Sequence, residues 1–512
     1  MFLNPEEEEV SMCGICGIWG SSNHGLLETM MNGLSHRGPD GSGIYASNRG
    51  ALGHRRLSIM DPEHGNQPIY NEDNSKAIIA NGEIYNFPQV YEELSKRHAL
   101  STKSDSEAIL HLYEEHGVDV VNYLDGMFAF CIADGDSIFL ARDYIGIKPL
   151  YYTIDENGTF YFSSELRNMT SLKSVIQEFP PGTWYHSDIG FKSFYEVPDV
   201  SPQETSYDDH VKGLRKALED SVVKRLMSDV PLGAFLSGGL DSSLIAAIAR
   251  KNMNSLHTFS VGIEGSRDIE SAHIVSKHID SIHHEYIMTA EEVIEELPEI
   301  IFYLESFDQD LVRSAIPCYF TSRLASNFVK AVLTGEGADE LFGGYRYYKG
   351  IADEGILHSE LRRSVNSLHN INLQRVDRMT MAHSIEGRVP FLDTGMIELG
   401  QIIPTKWKVF GNPPVEKWIL RKSFEGFLPE EIIWREKQQF DEGSGTVDLL
   451  SKTMRTIMKP EQAETYRQEH TSVPLRSSEE CYYHQIFSKV FPNAAYISKT
   501  VGRWSERPEL VS

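Results

Sequence analysis

Short apolar stretches alternate with turn residues over about the first 195 positions of the chain. Five of them are rich in aromatic and β-branched residues and are broken by Gly, Asp or Asn, as is typical of β-strands: GICGIWG, AIIANGEIYNF, MFAFCIA, SIFLARD and TFYFSSE. Helical spacing of apolar residues occurs at 25–34 and 105–116. This pattern predicts an α+β domain built on antiparallel sheets.

The polar segment 197–209 contains two prolines and is the predicted linker. After it, the apolar runs VPLGAFLS, HTFSVGI and KAVLTG alternate with longer helical stretches, such as 241–252 and 290–303. That alternation predicts an α/β domain with a parallel sheet, and the last 140 or so residues are mostly helical in pattern.

The overall charge narrows the choice of partners. The 512 residues carry a formal net charge of −26, which disfavours nonspecific nucleic-acid binding. No apolar run approaches the length of a membrane span, and the acidic start MFLNPEEEEVSM does not resemble a secretory signal. We therefore expect a cytoplasmic enzyme without nucleic-acid or membrane partners.

Cysteine is the first residue with candidate chemistry. The five cysteines are scattered, and the CxxC pair Cys13 and Cys16 lacks the second pair or nearby histidine of a zinc site. Cys131 is expected to be a small buried strand residue. Taken alone, Cys13 fits a buried residue at a strand start better than a catalytic one. If it were the first residue, however, its α-amine could accept the thiol proton while the sulfur attacks an amide carbon.

Four downstream motifs favour the catalytic interpretation of Cys13. They are HRGPD from position 36, GHRRLSI from 53, NGEIYN from 81 and SDSE from 104. Each alone would be an ordinary turn or strand sequence. Together, and in this order, they resemble the class II glutamine amidotransferases, which are N-terminal-nucleophile (Ntn) hydrolases.

This resemblance implies roles for individual residues. Cys13 matches the nucleophile, and Arg56 matches the arginine whose planar fork holds the glutamine α-carboxylate. Asp105 matches the carboxylate that holds the glutamine α-amine. Asn81 and the Gly82 N–H match the oxyanion hole, and Glu83 is expected to line the glutamine pocket. The neighbouring Arg55 is expected to be a surface or structural charge.

The twelve residues before Cys13 depart from the family pattern, because an acylated nitrogen could not act as the base. Three alternatives stay open: Met12 is the true start, a leader is cleaved, or the protein uses free ammonia. The extension is acidic and lacks an apolar pattern, so we expect it to be disordered and absent from a protein that begins at Cys13.

A phosphate-binding loop is predicted in the second half. Ser237, Gly238, Gly239, Leu240, Asp241 and Ser242 follow an apolar strand and open a helix. Glycines let the backbone approach a phosphate, and the helix N-terminus attracts its charge. The alternative is a simple strand–helix turn with a cap. The SGGxDS order resembles the pyrophosphate loop of ATP pyrophosphatases.

A second acidic motif, TGEGADELFGGY, begins at Thr334 and also follows a predicted strand. Acidic side chains opposite a phosphate loop suit Mg²⁺. With the downstream EGRVPFLD and WREKQQF stretches, these motifs resemble the asparagine synthetases. The resemblance implies that Asp241 and Asp339 are Mg²⁺ ligands, that Glu336 is an acid/base near the acyl-adenylate, and that Lys437 contacts the phosphates. Leu236, Ser260, Val261, Gly262 and Gly335 match the adenosine pocket.

The aspartate pocket is the least defined. In ESFDQDLVR, Asp310 and Leu311 stand where the best-known bacterial pattern has two threonines, whereas Arg313 is retained. Arg313 and Arg388 are the predicted aspartate contacts.

The resemblance therefore predicts a glutamine-dependent asparagine synthetase in three parts. Residues 1–12 form an extension, 13–200 an Ntn-hydrolase sandwich of antiparallel sheets, and 201–512 a parallel-sheet ATP pyrophosphatase domain with a helical C-terminal part. The implied substrates are glutamine, aspartate and ATP, with Mg²⁺ and an internal ammonia tunnel. Lactam synthetases, which lack the cysteine and carry Tyr in place of Glu336, fit less well. Amidotransferases acting on polysaccharide or peptide acceptors, a non-catalytic sensor and a homodimer stay open.

Overall fold

The computed structural model describes residues 13–503 except positions 22, 39, 58, 62, 173, 204 and 492. The predicted extension 1–12 lies outside the described residues. Among the residues that are described, no helix is both long and apolar enough to cross a bilayer.

Seventeen strands and twenty α-helices are assigned within these residues. The strands are β1 Gly14–Trp19, β2 Gly41–Ala46, β3 Gly50–Arg56, β4 Ile69–Tyr70, β5 Lys76–Ile84, β6 Gly126–Asp134, β7 Ser137–Arg142, β8 Tyr151–Ile154, β9 Phe160–Ser163, β10 Gln177–Glu178, β11 Thr183–His186, β12 Gly190–Ser193, β13 Leu232–Phe235, β14 His257–Gly262, β15 Ile282–Ile287, β16 Ala331–Leu333 and β17 Glu386–Arg388. The helices are α1 His24–Asn32, α2 Phe87–Leu94, α3 Asp105–His116, α4 Tyr207–Lys224, α5 Leu240–Asn252, α6 Arg267–Ile279, α7 Ala290–Leu304, α8 Gln309–Ala325, α9 Ala338–Phe342, α10 Glu354–Asn366, α11 Asn372–Met381, α12 Thr394–Ile402, α13 Thr405–Lys408, α14 Trp418–Ser423, α15 Glu430–Ile433, α16 Phe440–Gly443, α17 Thr446–Ile457, α18 Pro460–Glu469, α19 Ser478–Val490 and α20 Ala494–Ile497.

The N-terminal half is a four-layer sandwich. One antiparallel sheet has the order β10-β8-β9-β1-β3-β2, and the other has the order β12-β11-β7-β6-β5-β4. Alternation along β1 explains the layering, because Ile15 and Trp19 enter the core between the sheets while Cys16 and Ile18 pack beneath α1. Helices α2 and α3 cover the outer face of the second sheet. The α+β prediction is therefore confirmed.

The connection between the halves is shorter than the sequence pattern predicted. Helix α4 begins at Tyr207, so the last three residues of the predicted linker form its first turn. The Ser206 hydroxyl caps this helix by accepting a hydrogen bond from the Asp209 N–H at 3.2 Å. Polar residues that resemble a linker here form an N-terminal cap.

The C-terminal half contains a parallel sheet in the order β15-β14-β13-β16-β17. The chain leaves β13 toward one side of the sheet and returns at β16 on the other. In such a sheet the crevice at the carboxyl ends of the two strands where the order reverses is a natural ligand site. The loop that starts at Ser237 follows β13, and the loop that starts at Thr334 follows β16. The predicted parallel-sheet domain is confirmed.

A buried network of ion pairs joins the two halves. Arg37 of the first half makes two hydrogen bonds to Asp377 of α11, at 2.7 and 3.0 Å, and a third to Glu165 at 3.1 Å. Arg378 donates to the Ser164 carbonyl at 3.0 Å and pairs with Glu305 at 2.8 Å. Every one of these charged side chains is almost fully buried. Each charge therefore depends on its partner for compensation.

We expect Asp377→Asn to destabilise the folded chain by about 3–5 kcal/mol, because it leaves the buried Arg37 guanidinium under-compensated. Denaturant unfolding should show a lower midpoint. The matched control is Glu93→Gln, since Glu93 pairs with Lys96 on the exposed surface, and its midpoint should not move. Equal midpoints for both variants would contradict the structural importance of the buried pair.

Candidate functional site

A small cavity of about 400 Å³ lies at the edge of the sandwich, where it meets the second half. Its lining consists of Cys13, Arg56, Leu57, Ile59, Met60, Gly65, Gln67, Ala80, Asn81, Gly82, Glu83, Ser104, Asp105, Ser106 and Glu386. The structure thus brings together every predicted glutamine-site residue, from four separate segments of the first half.

Cys13 stands immediately before β1 and is half-buried. The Leu57 N–H donates to its Sγ at 3.4 Å, and Arg37 Nε donates to its carbonyl oxygen at 3.3 Å. Burial raises the pKa of the thiol to about 12. A thiol in this environment needs a base to become a nucleophile.

Asn81 and Gly82 lie on the long strand β5, next to the edge strand of its sheet. The Asn81 side chain is fully buried, yet neither its Oδ1 nor its Nδ2 has a hydrogen-bond partner among the described residues. Buried amides are normally satisfied, so an unpartnered amide in a cavity wall is suited to a bound group. A Cβ on Gly82 would lie 2.0 Å from the Met127 carbonyl oxygen, so no residue with a side chain fits at this position without a shift of the backbone.

Arg56 and Asp105 provide opposite charges in the same wall. Arg56 is oriented by hydrogen bonds from Nη1 to Asn66 Oδ1 at 2.9 Å and from Nη2 to the Asp61 carbonyl at 2.6 Å. Asp105 is the first residue of α3 and accepts from the Ile84 N–H at 2.7 Å. Burial raises the pKa of its carboxyl to about 6. A zwitterionic amino acid could pair with both side chains.

Glu386 of β17 reaches this cavity from the second half; it begins the EGRVPFLD stretch, which the sequence had not connected with the glutamine site. It lies near Glu83, and burial followed by the charge of Glu386 raises the pKa of Glu83 well above its usual value. Arg388 pairs with Glu386 at 2.7 Å and approaches Glu83 at 3.6 Å. Lys148 lies 3.4 Å from Glu386.

The second cavity, of about 1380 Å³, occupies the switch point of the parallel sheet. Its walls include the following predicted ATP-site and catalytic residues: Leu236, Ser237, Gly239, Asp241, Ser242, Ser260, Val261, Gly335, Glu336, Asp339 and Lys437. Gly238 is not in the lining. A Cβ there would lie 2.4 Å from the Ser271 side chain, so this glycine permits close packing against α6.

Two serine hydroxyls accept hydrogen bonds from backbone N–H groups of the loop that precedes α5, and these bonds fix its shape. The Ser237 N–H donates to Ser242 Oγ at 3.2 Å, and the Gly239 N–H donates to Ser237 Oγ at 3.3 Å. Helix α5 begins at Leu240 in the cavity lining, and its N-cap residue Gly239 provides no side-chain capping hydrogen bond. That arrangement attracts anions such as phosphate.

Two lysines face two carboxylates across the cavity. Lys417 Nζ lies 2.5 Å from Asp241 and 2.6 Å from Asp339, and Lys437 Nζ lies 2.7 Å from Asp339. Burial favours a higher pKa for Asp339, but Lys417 and Lys437 outweigh it and hold this pKa well below its usual range. Asp241 Oδ1 is buried and lacks a hydrogen-bond partner among the described residues.

Glu336 follows the end of β16 and forms an ion pair with the buried Arg375 of α11. Gly335 is closely packed, because a Cβ there would lie 2.9 Å from the Ser242 N–H nitrogen. The two loops at the switch point thus touch each other, and this contact sets the distance between the phosphate loop and Glu336.

The two arginines predicted to contact aspartate are engaged elsewhere. Arg313 makes two hydrogen bonds to Glu479, at 2.7 and 2.6 Å. Arg388 is fully buried, and its guanidinium donates to the carbonyls of Arg225 and Met227 at 2.7 and 2.5 Å. Neither lines the large cavity. Arg388 instead lies beside the small cavity, so its predicted contact with aspartate does not fit this placement.

Several cavity residues had no interpretable sequence signal. Lys417 immediately precedes α14 and Arg375 lies within α11, and only the fold brings them to the acids. Arg435 sits in the WREKQQF stretch beside Lys437 and donates to the Ser237 carbonyl at 3.3 Å. Its position in that stretch was the one available indication.

The sandwich with its small cavity and the parallel sheet with its large one define a class of two-domain enzyme, in which a glutamine amidotransferase is joined to a nucleotide-using synthetase. Residues 12–190 match the family model of a glutamine amidotransferase domain, and residues 213–355 and 350–506 match that of asparagine synthase. The chain belongs to the glutamine-hydrolysing asparagine synthetases.

Named relatives agree with these matches. Asparagine synthetase (glutamine-hydrolyzing) 2 of Oryza sativa subsp. japonica is 38% identical, covering 95% of this chain and 87% of its own length. Asparagine synthetase B (glutamine-hydrolyzing) of Escherichia coli strain K12 is 38% identical, covering 90% of this chain and 87% of its own. The predicted enzyme class is therefore confirmed, and ATP is consistent with the family as a substrate.

We expect Lys417→Met to weaken ATP binding roughly 10- to 100-fold, because it removes a charge-assisted donor and leaves Asp241 and Asp339 to repel the phosphates. Calorimetric titration with ATP measures this. The matched control is Lys406→Met, since Lys406 is exposed and outside both cavities. Unchanged affinity in Lys417→Met would exclude a role for Lys417 in nucleotide binding.

Proposed function

We propose that the chain makes asparagine by releasing ammonia from glutamine in the small cavity and using it in the large one. The observation that carries this proposal is the pairing of a half-buried cysteine and an unpartnered amide in one cavity with a phosphate-type loop and acid–lysine cluster in the other. In the first cavity Cys13 attacks the side-chain amide of glutamine, forms a thioester and releases ammonia. Water then hydrolyses the thioester to glutamate.

The proposed base is the Cys13 α-amine of a chain that begins at this residue. Among the described residues that line the small cavity there is no histidine. His36 pairs with Glu165 at 3.0 Å, and burial lowers its pKa to about 4. His54 faces the Ala80 carbonyl at 3.1 Å, and burial lowers its pKa to about 3. Neither ring is placed to accept the thiol proton.

The remaining side chains of the small cavity bind and orient glutamine. Arg56 holds the α-carboxylate and Asp105 the α-ammonium, with Glu83 in the adjoining wall. Asn81 Nδ2 and the Gly82 N–H donate to the oxygen that becomes negative in the tetrahedral intermediate. Fixed donors stabilise this developing charge more than they stabilise the substrate.

In the large cavity the aspartate β-carboxylate attacks the α-phosphate of ATP and pyrophosphate leaves. Leu236, Val261 and Gly335 hold the adenosine, and the loop Ser237–Gly238–Gly239 with Ser242 holds the phosphates. Lys437 and Lys417 neutralise charge on the leaving pyrophosphate. Glu336 accepts a proton from ammonia as the nitrogen attacks the acyl carbon of the adenylate, the acyl–oxygen bond breaks and AMP leaves. The residues that bind aspartate are left unassigned.

Asp241 and Asp339 are the proposed holders of Mg²⁺. The unpartnered Asp241 Oδ1 and the adjacent Asp339 carboxylate are hard oxygen donors facing the phosphate loop, as this ion requires. When bound, the ion would neutralise charge on the pyrophosphate. The lysines would then share the phosphate oxygens with it.

The linings of the two cavities come close to each other at β17. Glu386 lines the small one, Val376 lines the large one, and a Cβ on the intervening Gly387 would lie 2.7 Å from Val376 Cγ1. We propose that ammonia travels along this line. The proposed partners are glutamine, aspartate and ATP. The absence of nucleic-acid and membrane partners, the cytoplasmic location and the homodimer stay predictions.

We expect Cys13→Ala to reduce glutamine-dependent asparagine formation by roughly four orders of magnitude or more, as removal of a nucleophile does. Ammonium-dependent synthesis should stay nearly intact, because adenylation uses the other cavity. Product assays with aspartate, ATP and Mg²⁺, and either nitrogen donor, measure both. The matched control is Cys481→Ala, a buried cysteine of α19 outside both cavities.

The two-site proposal predicts different losses for the two nitrogen donors in Cys13→Ala. It fails if a folded Cys13→Ala protein loses both activities equally. It also fails if Cys481→Ala reproduces the selective loss of glutamine-dependent synthesis.

We expect glutamine binding to weaken about tenfold per pH unit below about pH 6, because burial raises the pKa of Asp105 to about 6 and only its ionised form pairs with the α-ammonium. Calorimetry on Cys13→Ala protein isolates binding from chemistry. In a Cys13→Ala, Asp105→Asn double variant, binding should be weak and independent of pH in this range. The same pH dependence in both proteins would contradict the assignment.

A further inference from the structure

Four ionisable side chains converge on the outer side of the sandwich, away from both cavities. Glu72 lies in the turn between β4 and β5, His98 follows α2, and His111 and Glu114 lie on one face of α3. One potential ligand atom from each lies within 4.8 Å of all the others. We refer to these four residues as the His₂Glu₂ cluster.

Both imidazoles present the same nitrogen to the centre of the cluster. His98 Nδ1 is 3.1 Å from Glu72 Oε1 and 3.9 Å from Glu114 Oε2. His111 Nδ1 is 2.8 Å from Glu114 Oε2 and 3.7 Å from Glu72 Oε2. The donors of a tetrahedral zinc site stand about 3.3 Å apart, given metal–ligand distances of about 2.0 Å. The four nitrogen–oxygen separations, which involve both oxygens of Glu72 and one of Glu114, range from 2.8 to 3.9 Å and include that value.

The opposite nitrogen of each ring faces an outer carboxylate. His98 Nε2 lies 3.2 Å from Glu115, which Arg97 holds by two hydrogen bonds at 2.6 and 2.9 Å. His111 Nε2 lies 3.6 Å from Glu107. A carboxylate behind a metal-binding histidine fixes the proton on the far nitrogen and leaves the near one free to bind.

Glu107 is itself immobilised. It accepts four hydrogen bonds, from the N–H and hydroxyl groups of Ser101 and Thr102, at 2.6 to 2.8 Å. Asn71 donates to Glu114 Oε1 at 2.7 Å, which leaves Oε2 directed to the imidazoles. Three of the four possible ligands of the cluster are therefore oriented by hydrogen-bonding residues around them, namely Glu107, Glu115 and Asn71.

His111 is the most deeply buried member of the cluster. Its side chain is 1% exposed, and its Nε2 faces Glu107 at 3.6 Å, just beyond hydrogen-bond distance. If His111 Nδ1 bound a cation at the centre of the cluster, the proton of the ring would sit on Nε2, which faces the Glu107 carboxylate. Four carboxylates with Arg97 as a paired cation also favour a dication between them.

We propose that the His₂Glu₂ cluster is a structural zinc site, with His98 Nδ1, His111 Nδ1, Glu72 and Glu114 as its ligands. Two imidazoles and two carboxylates in a tetrahedral arrangement suit Zn²⁺ better than Mg²⁺ or Ca²⁺, which prefer oxygen alone. The site ties together the β4–β5 turn, the segment after α2 and helix α3. Helix α3 begins at Asp105 in the small cavity, so the ion would brace one wall of that cavity from behind.

The test is a zinc titration of chelator-treated full-length protein against a chromophoric competitor, with excess Mg²⁺ to occupy oxygen-only sites. We expect one tight Zn²⁺ per chain and a higher Tm with the metal. His98→Gln and Glu114→Gln should each weaken this binding by more than about 100-fold, and Glu115→Gln by about 10- to 100-fold. The matched control, His24→Gln, alters an exposed histidine outside the cluster and should bind as wild type.

Cobalt substitution separates this site from the Cys13 thiol. Co²⁺ in the cluster should give tetrahedral d–d absorption without a thiolate charge-transfer band, and this absorption should vanish in His98→Gln. Far-ultraviolet circular dichroism of the same variants, recorded without metal, reports that they are folded. Wild-type zinc affinity in folded His98→Gln and Glu114→Gln, or no tight zinc in the wild type, would overturn the proposal.

Discussion

The buried ion-pair network between the two halves is the interaction on which the rest of the structure depends. Arg37 comes one turn after helix α1 and forms hydrogen bonds with both the Cys13 carbonyl and Asp377. Asp377 belongs to α11, the same helix that supplies Arg375 to Glu336 in the large cavity. A shift of one domain against the other would leave buried charges unpaired, which is costly. The two cavities are therefore held at one separation.

The electrostatics of the two cavities differ in a way that suits their proposed chemistry. The small cavity contains more buried carboxyl groups than cations, and burial raises the pKa of Asp105 and Glu83. The large one balances Asp241 and Asp339 with two lysines and an open helix N-terminus. The first environment suits a small zwitterion, whereas the second suits a polyanion that arrives with a metal ion.

Glycines and strand edges set the distances between these groups. Gly82 permits β5 to approach β6 beside Cys13, and Gly335 lets the loop after β16 touch the phosphate loop after β13. Strand β17 then carries Glu386 to one cavity while its neighbour β16 ends at the other. The adjacent parallel strands β16 and β17 thereby connect the two cavities.

The sequence alone determined the features that residues close together in the chain control, namely the bounds of helices and the loops that begin them. Helix α3 has the bounds 105–116 that the apolar spacing predicted, and the loop Ser237–Ser242 opens a helix as its glycines and cap residues indicated. Tertiary structure decided the pairings of distant charges: Asp377 lies 340 residues from Arg37, and Lys417 lies 176 from Asp241. It also placed Arg388 beside Glu83 rather than in the nucleotide cavity. Apolar periodicity and helix capping depend on residues a few positions apart, so they can be read from the sequence. The partner of a buried charge is set by the packing of distant segments, so only the tertiary structure identifies it.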